Sequence, residues 1–452
     1  MLSAEEIGSM PQIVTSSPGE QRLRSQTVIL KRGQHIKYRP YAFTEQGVAM
    51  LSIHVREKAA RYRTRAVRTL VTFLLFFPFL RTLAETPAVE IRFCPALAVR
   101  TYPLENRREV QSLVLQNVAV VNHATKIFKV NAIELELLQS GRVLDSKKLG
   151  GSEIQRFADR GAKMQAAGVL QQVAFQFCSP DLIAPPIKLA GPALDRDQGL
   201  LITSQVFAFS GARDTLRVRV KGDLVGHVTE INGMLPIKSD FAKNVYIFPL
   251  RGVCYAGVGA SLHGGHRWAI PEEFALDIAK LGADGFTHRG DGTRFEDYYA
   301  YGVDVLAAAG GRIVRVENDQ PEDPAAMQRP GESQEAYFAR LQKDQEGRLA
   351  KGAVAITGNY VMIDHGKGEY SLYAHLKPGS VRVHVEDSVK TGDVIGKLGS
   401  SGNSTEPHLH FHVCDKPDPL MCAGIPVDFS NVTIQWADVP RPIQSGDIVI
   451  AK

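Results

Sequence analysis

Residues 407–413 read PHLHFHV. Three histidines stand at alternate positions behind a proline, with Leu409 and Phe411 between them. In an extended chain alternate side chains point to one face. The spacing therefore predicts a strand with His408, His410 and His412 on one surface and apolar residues turned into a core on the other. Imidazoles so placed can ligate a metal, move a proton or line a polar wall. The rest of the chain has to choose among these.

Upstream of this stretch, from about residue 245, the texture is β throughout. GVDVLAAAGGRIVRVE (302–317), GNYVMIDHGKGEYSLYAHL (358–376) and SVRVHVEDSVKTGDVIGKLG (380–399) alternate Val, Ile and polar residues between glycines. That grammar predicts compact, tightly turned β-structure over 245–435. A charged insertion, 318–352, interrupts it. Its second half reads as an amphipathic helix with Tyr337, Phe338 and Leu341 on one face, either a solvated excursion or a lid over a groove. Residues 87–240 carry short apolar alternations such as QSLVLQNVAVVN (111–122) and LRVRVKGDLVGHV (216–228). These predict an antiparallel β-sandwich with no catalytic residue evident, an accessory domain. Residues 436–452 are expected to be a tail. The fold class is mainly β: a sandwich-like domain followed by a small antiparallel core with a helical insertion.

If His410 binds a metal, other ligands must come from elsewhere in the chain, because a catalytic zinc takes three protein ligands and keeps an open position. SLHGGHRWAIPEEFALDIAK (261–280) offers His263, His266 and Asp277. Asp277 lies inside the apolar run FALDIA, and an unpartnered carboxylate there would be costly, so a cation is expected beside it. His288 and Asp291, in THRGDG (287–292), form a competing pair in a glycine-rich loop.

Taken together, FALDI, YGVDVLAAAGGRIV, GNYVMIDHG, YSLYAHL and GDVIGKLGSSGNSTEPHLHFHV resemble the lysostaphin/LytM-type zinc metallopeptidases of the bacterial cell wall, over about residues 250–430. The resemblance implies a groove-forming antiparallel core, one zinc ion per chain, and a peptidoglycan stem or cross-link peptide as substrate. It implies metal ligands at His266, Asp277 and His410, and catalytic imidazoles at His408 and His375. The archetypes space their first two ligands four residues apart, whereas eleven separate His266 from Asp277. His263 therefore stays a rival for the first ligand. The resemblance gives His412 no role, and the residue reads as a polar wall or a hydrogen-bond donor behind the ligands.

Charge is unevenly placed. Of 53 Lys and Arg and 48 Asp and Glu, the first 90 residues hold 13 and 7, so the bulk of the chain has no basic excess to suggest nucleic-acid binding. Within that front, RYRTRAVRTLVTFLLFFPFLRTLAET (61–86) sets four arginines before an apolar run from Leu70 to Leu80, then Thr82 and Ala84. The run is shorter than the ~20 residues that span a bilayer. Segment 56–84 reads as a signal peptide cut after Ala84, sending the protein to the periplasm or outside, with no stable transmembrane span. LKRGQHIKYRPYAFTEQGVAMLS (30–52) resembles part of the phage Orf-six amino-terminal domain, a DNA-binding module. Residues 1–55 are accordingly a truncated fragment of it or a segment upstream of a true start near Met50, and any nucleic-acid contact would be confined there.

Cysteines stand at 94, 178, 254, 414 and 422. Cys94 with Cys178, and Cys414 with Cys422, could bridge in an oxidising compartment, and free buried thiols remain equally open. Three other functions compete with a peptidase. A non-catalytic relative that activates other wall hydrolases would lack ligands, and here the set is whole. A lipoyl or biotinyl carrier would share the hairpin grammar of VHVEDSVKTGDVIGKLGS (383–400), but Lys390 follows Val389 rather than Met and the histidines would be idle. A DNA-binding regulator would rest on residues 10–52 alone.

Overall fold

The computed structural model describes residues 87–104, 109–168, 170, 187–262, 264–349 and 351–452. The expected phage-like fragment and signal peptide lie outside the described residues. The chain is mainly β, with two ten-stranded sheets, one drawn from Val89–Lys238 and the other from Gly252–Ala451.

In the first sheet two long antiparallel ladders dominate: Val110–Asn122 with Gln198–Ser210, and Phe128–Gln139 with Thr215–Leu224. A two-residue parallel contact, Ile237 and Lys238 beside Val99 and Arg100, joins the halves. They fold over one another, so that Leu113, Leu115, Val118 and Val120 share one core with Ile133, Leu135, Val218 and Val220. This is the sandwich-like arrangement that alternation predicts. The helix Gly151–Ala166 was not expected. Its apolar face is sparse, and it becomes helical by laying Ile154 and Ala158 on that core, while the Glu153 carboxylate accepts from Gly150 N at 3.2 Å.

In the second sheet Asn359–Asp364, Tyr370–Leu376, Leu409–Cys414 and Leu276–Lys280 lie side by side, all antiparallel. Leu409, Phe411 and Val413 enter the apolar core with Ile278, Val361, Ile363 and Tyr373. The intervening histidines therefore take the opposite face. One expectation needs correcting: residues 436–452 are not a tail. Ile448–Ala451 pairs with both Gly252–Val258 and Val432–Ile434, and Val449 is fully buried. Four residues behind a Pro- and Gly-rich stretch carry too little pattern to announce a strand whose partners are so distant.

The insertion forms the helix Gln334–Leu349. Tyr337 is buried and hydrogen-bonds Thr405, in the loop that leads to His408. Arg340 fastens the helix base, donating to Glu332 at 2.8 and 2.9 Å and to Met327 O at 3.0 Å. The insertion is thus docked against the loop beside the histidines rather than held out in solvent. Cys414 and Cys422 are disulfide-bonded across their loop. Cys94 is disulfide-bonded too, while Cys178 lies outside the described residues. Cys254 is a free buried thiol, pushed up to about 11 by burial.

The two sheets pack through apolar side chains. Ala119, Val121 and Leu201 of the first meet Ile270, Ile356 and Leu420, which lie in segments connecting strands of the second. Tyr102 packs with Ala260 and Phe274, its ring stacked on Phe274 at 5.6 Å. Among the described residues no helix is long and apolar enough to cross a membrane.

Candidate metal centre

Strand pairing assembles the site. Asp277 stands opposite His410, so the two share a face. Ala374 is the residue across from His410 on the third strand, and His375, one position on, reaches the same site through its left-handed backbone, φ 63°. His408 precedes the first residue of its strand and shares the His410 face. His266 arrives separately, on the 3-10 turn Gly265–Trp268.

Asp277 is the hub. Its Oδ1 lies 3.0 Å from His410 Nδ1 and 3.6 Å from His408 Nε2, and its Oδ2 lies 3.4 Å from His266 Nε2. Burial alone would raise this carboxyl, but the imidazoles of His266, His408 and His410 outweigh it and hold Asp277 well below the usual carboxylate range. Asp277 is therefore held as an anion among these three rings. One donor atom from each of His266, Asp277 and His410 lies within 4.8 Å of the others. Two imidazoles and a carboxylate so placed suit zinc. His266 Nδ1 is buried with no hydrogen-bond partner among the described residues, so that ring is oriented by what its Nε2 faces and by its edge contact with the His410 ring at 4.9 Å.

The other two rings are oriented by backbone carbonyls. His375 Nδ1 lies 2.8 Å from Ser401 O, and His408 Nδ1 lies 2.8 Å from Glu406 O. A carbonyl only accepts, so both Nδ1 atoms carry protons, and in the neutral ring it is Nε2 that offers the lone pair. The two rings are 4.8 Å apart between centroids. Burial, reinforced by His408 and His410, holds His375 well below the usual histidine range, so it is neutral. His375 also adopts a left-handed backbone, φ 63°, at the end of its strand. Such strain in a non-glycine residue persists only where the surroundings impose it.

His412 extends the row inward. Its Nδ1 lies 3.1 Å from His410 Nε2, while its Nε2 is buried without a partner among the described residues. His412, Cys414 and Cys422 also bring ligand atoms within 4.8 Å of one another, but both sulfurs are committed to the disulfide.

The expected residues His266, Asp277, His375, His408 and His410 are thus together. His263 lies outside the described residues. His288 and Asp291 do not join them: Asp291 is exposed and accepts from Thr293 Oγ1 at 3.1 Å, while His288 packs on Tyr298 at 5.3 Å. The sequence reading missed Glu406, whose carboxyl burial raises and whose neighbours are His408 and His288. Its position directly before Pro407 was the available signal.

Residues 344–421 match the model of Peptidase family M23. That span holds His375, His408 and His410 but not His266 or Asp277. The chain is 49% identical over 83 residues to the DD-carboxypeptidase/endopeptidase Mpg of Neisseria meningitidis serogroup B (strain ATCC BAA-335 / MC58), covering 18% of this chain and 19% of that protein. It is 38% identical over 72 residues to the peptidoglycan DD-endopeptidase ShyA of Vibrio cholerae, 16% of each chain. The alignments thus span about a fifth or less of these relatives. Among solved structures, the catalytic domain of lysostaphin from Staphylococcus simulans matches at 20% identity, over 41% of this chain and 88% of that one, with a TM-score of 0.20.

Proposed function

We propose that the chain is a zinc-dependent endopeptidase that hydrolyses peptide bonds in peptidoglycan stem or cross-link peptides. The observation that carries this reading is the enclosure of one part-buried carboxylate by His266, His408 and His410, with donor atoms of His266, Asp277 and His410 within 4.8 Å, beside a segment matching Peptidase family M23. The names of the relatives, a DD-carboxypeptidase/endopeptidase and a peptidoglycan DD-endopeptidase, support the substrate class.

His266 Nε2, one Asp277 oxygen and His410 Nδ1 would hold the ion. A zinc ion there supplies Lewis acidity, polarising the scissile carbonyl and acidifying a water. The remaining chemistry belongs to His375 and His408. Each spends its Nδ1 proton on a backbone carbonyl, so each presents an Nε2 able to take a proton from the attacking water. Once protonated, that same Nε2 donates, steadying charge on the carbonyl oxygen or returning the proton to the leaving amine. His412 fixes the remaining proton. With His410 Nδ1 given to the ion, the ring's proton sits on Nε2 and donates to His412 Nδ1.

Export to an oxidising compartment is part of the proposal, supported by the disulfide bonds at Cys94 and Cys414–Cys422. Amino-terminal sequencing of protein recovered from the periplasm should find cleavage after Ala84, and a mature chain retaining residues 70–80 would indicate a membrane tether instead. The decisive experiment is metal analysis joined to digestion of purified sacculi, with the products identified by mass. One zinc per chain and new peptide termini are expected. Zinc without any cleavage would favour a non-catalytic activator of other hydrolases.

A further inference from the structure

The residue after a proposed ligand is among the most deeply buried charges in the molecule. Arg267 is 0% exposed, enclosed by Ser112 and Tyr102 of the first sheet on one side and by Glu273 and Phe274 of its own domain on the other. In a 3-10 turn successive side chains point about 120° apart. His266 thus faces Asp277 while Arg267 leaves in another direction, into the contact between the two sheets.

There the strand Val110–Asn122 supplies its partners. Leu113 and Leu115 enter the sandwich core, so Ser112 and Gln116 take the outer face. Arg267 Nη2 donates to Ser112 Oγ at 3.2 Å, and Ser112 Oγ in turn donates to Tyr102 O at 3.0 Å. Gln116 Nε2 donates to the backbone carbonyl of Arg267 itself at 3.2 Å. The guanidinium lies over the rings of Phe274 and Tyr102, at 5.0 and 5.9 Å, and pairs with Glu273 at 3.3 Å. Tyr102 is pinned across the contact by donating to Ile443 O at 2.8 Å. Every one of these groups is buried.

Resting on the zinc reading above, we infer that the first domain completes the metal centre: Gln116 and Ser112 hold Arg267, and through it the four-residue turn that carries His266. Asp277 and His410 sit on paired strands and are fixed by the sheet. His266 has no such ladder. Its turn is short, and the ring's Nδ1 has no partner among the described residues. The orientation that a carboxylate or carbonyl usually gives to a ligating histidine is supplied here by backbone, clamped from another domain. Gln116, Ser112 and Arg267 are positioning residues, and the domain is more than a spacer.

The test measures zinc affinity of the full chain by competition with a chromogenic chelator, alongside the thermal midpoint of the zinc-free protein. Gln116→Leu keeps side-chain size and removes the donor to Arg267 O. Arg267→Lys keeps charge and loses the fork. Leu201→Ala loosens the other, apolar part of the same contact without touching Arg267. Gln116→Leu and Arg267→Lys should each weaken zinc binding about 10–100-fold, the usual effect of losing an orienting partner. Leu201→Ala should lower the thermal midpoint and leave zinc affinity within about threefold of wild type. Unchanged affinity in Gln116→Leu would overturn the inference, as would an equal loss in Leu201→Ala, which would make the effect one of general loosening. Should Arg267→Lys fail to fold, Gln116→Leu decides alone. A wild-type chain that takes up no zinc would instead sink the metal reading from which the inference starts.

Discussion

At the scale of single residues, the five site groups should fail in two distinguishable ways. Replacing His266, Asp277 or His410 with Ala removes one of three proposed donors and should strip zinc and abolish hydrolysis together. His375→Ala and His408→Ala should keep the metal and lose on the order of 10²–10⁴ in rate, the usual worth of a positioned acid–base group. Metal analysis beside single-turnover rates separates the classes, and zinc lost from His408→Ala but kept in His410→Ala would exchange the two roles. His412 makes a finer test. With His410 Nδ1 on the ion, His410 Nε2 would donate to His412 Nδ1, 3.1 Å away, so His412→Phe should weaken zinc about tenfold or more, while His412→Asn, which keeps an acceptor, should recover much of the loss. Equal affinity in the two variants would reduce His412 to a wall residue. The two-residue spacing announced that these rings share a face. It could not announce which nitrogen faces which, because that depends on strands that meet only on folding.

At the scale of elements, the loop of residues 400–406 orients both proposed catalytic rings through the carbonyls of Ser401 and Glu406. It is held by a close backbone crossing. Gly402 has φ 75° and packs so tightly on Gly358 and Ile356 O that an added Cβ would collide with backbone on both. Asn403 N and Asn359 N complete the crossing by donating to Ile356 O and Ser401 Oγ at 2.8 and 2.9 Å. Gly402→Ala meets a left-handed backbone costing roughly 1–2 kcal/mol, and then a clash that must displace the loop. Activity should fall at least tenfold with zinc retained, since no proposed ligand lies on this loop. A variant as active as wild type would show that the loop's position is immaterial. The glycines were legible as turn signals. Their reason, two chain segments about forty residues apart pressed together, was not.

At the scale of the whole molecule, the contact between the sheets carries its own pH dependence. Glu273 is buried against Arg267, with Gln116 and Arg100 also facing it, and burial raises its carboxyl to about 7 despite their opposing pull. Folding therefore tightens a proton that the unfolded chain releases near 4.5. The stability this group contributes is complete below about 4.5 and is lost as pH rises through about 7. Urea unfolding from pH 5 to 8 should show wild type losing about 1–3 kcal/mol more than Glu273→Gln across that window. Parallel profiles would mean that Glu273 does not titrate there. Either outcome is read as a difference between the two proteins, so other titrating groups cancel.

The sequence by itself determined the β character of the chain, the strand face bearing His408, His410 and His412, and the set of donors from which a zinc site could be drawn. These follow from local periodicity and from the cost of burying Asp277 without a cation, and both are properties of short stretches. Only the tertiary structure decided that Ile448–Ala451 is a strand of the second sheet, that the insertion docks on the loop before His408, and that Arg267 reaches into the first sheet. Each depends on partners dozens to hundreds of residues away. No local pattern encodes those meetings: the free energy that selects them arises when two buried surfaces close on one another, and it belongs to neither segment alone.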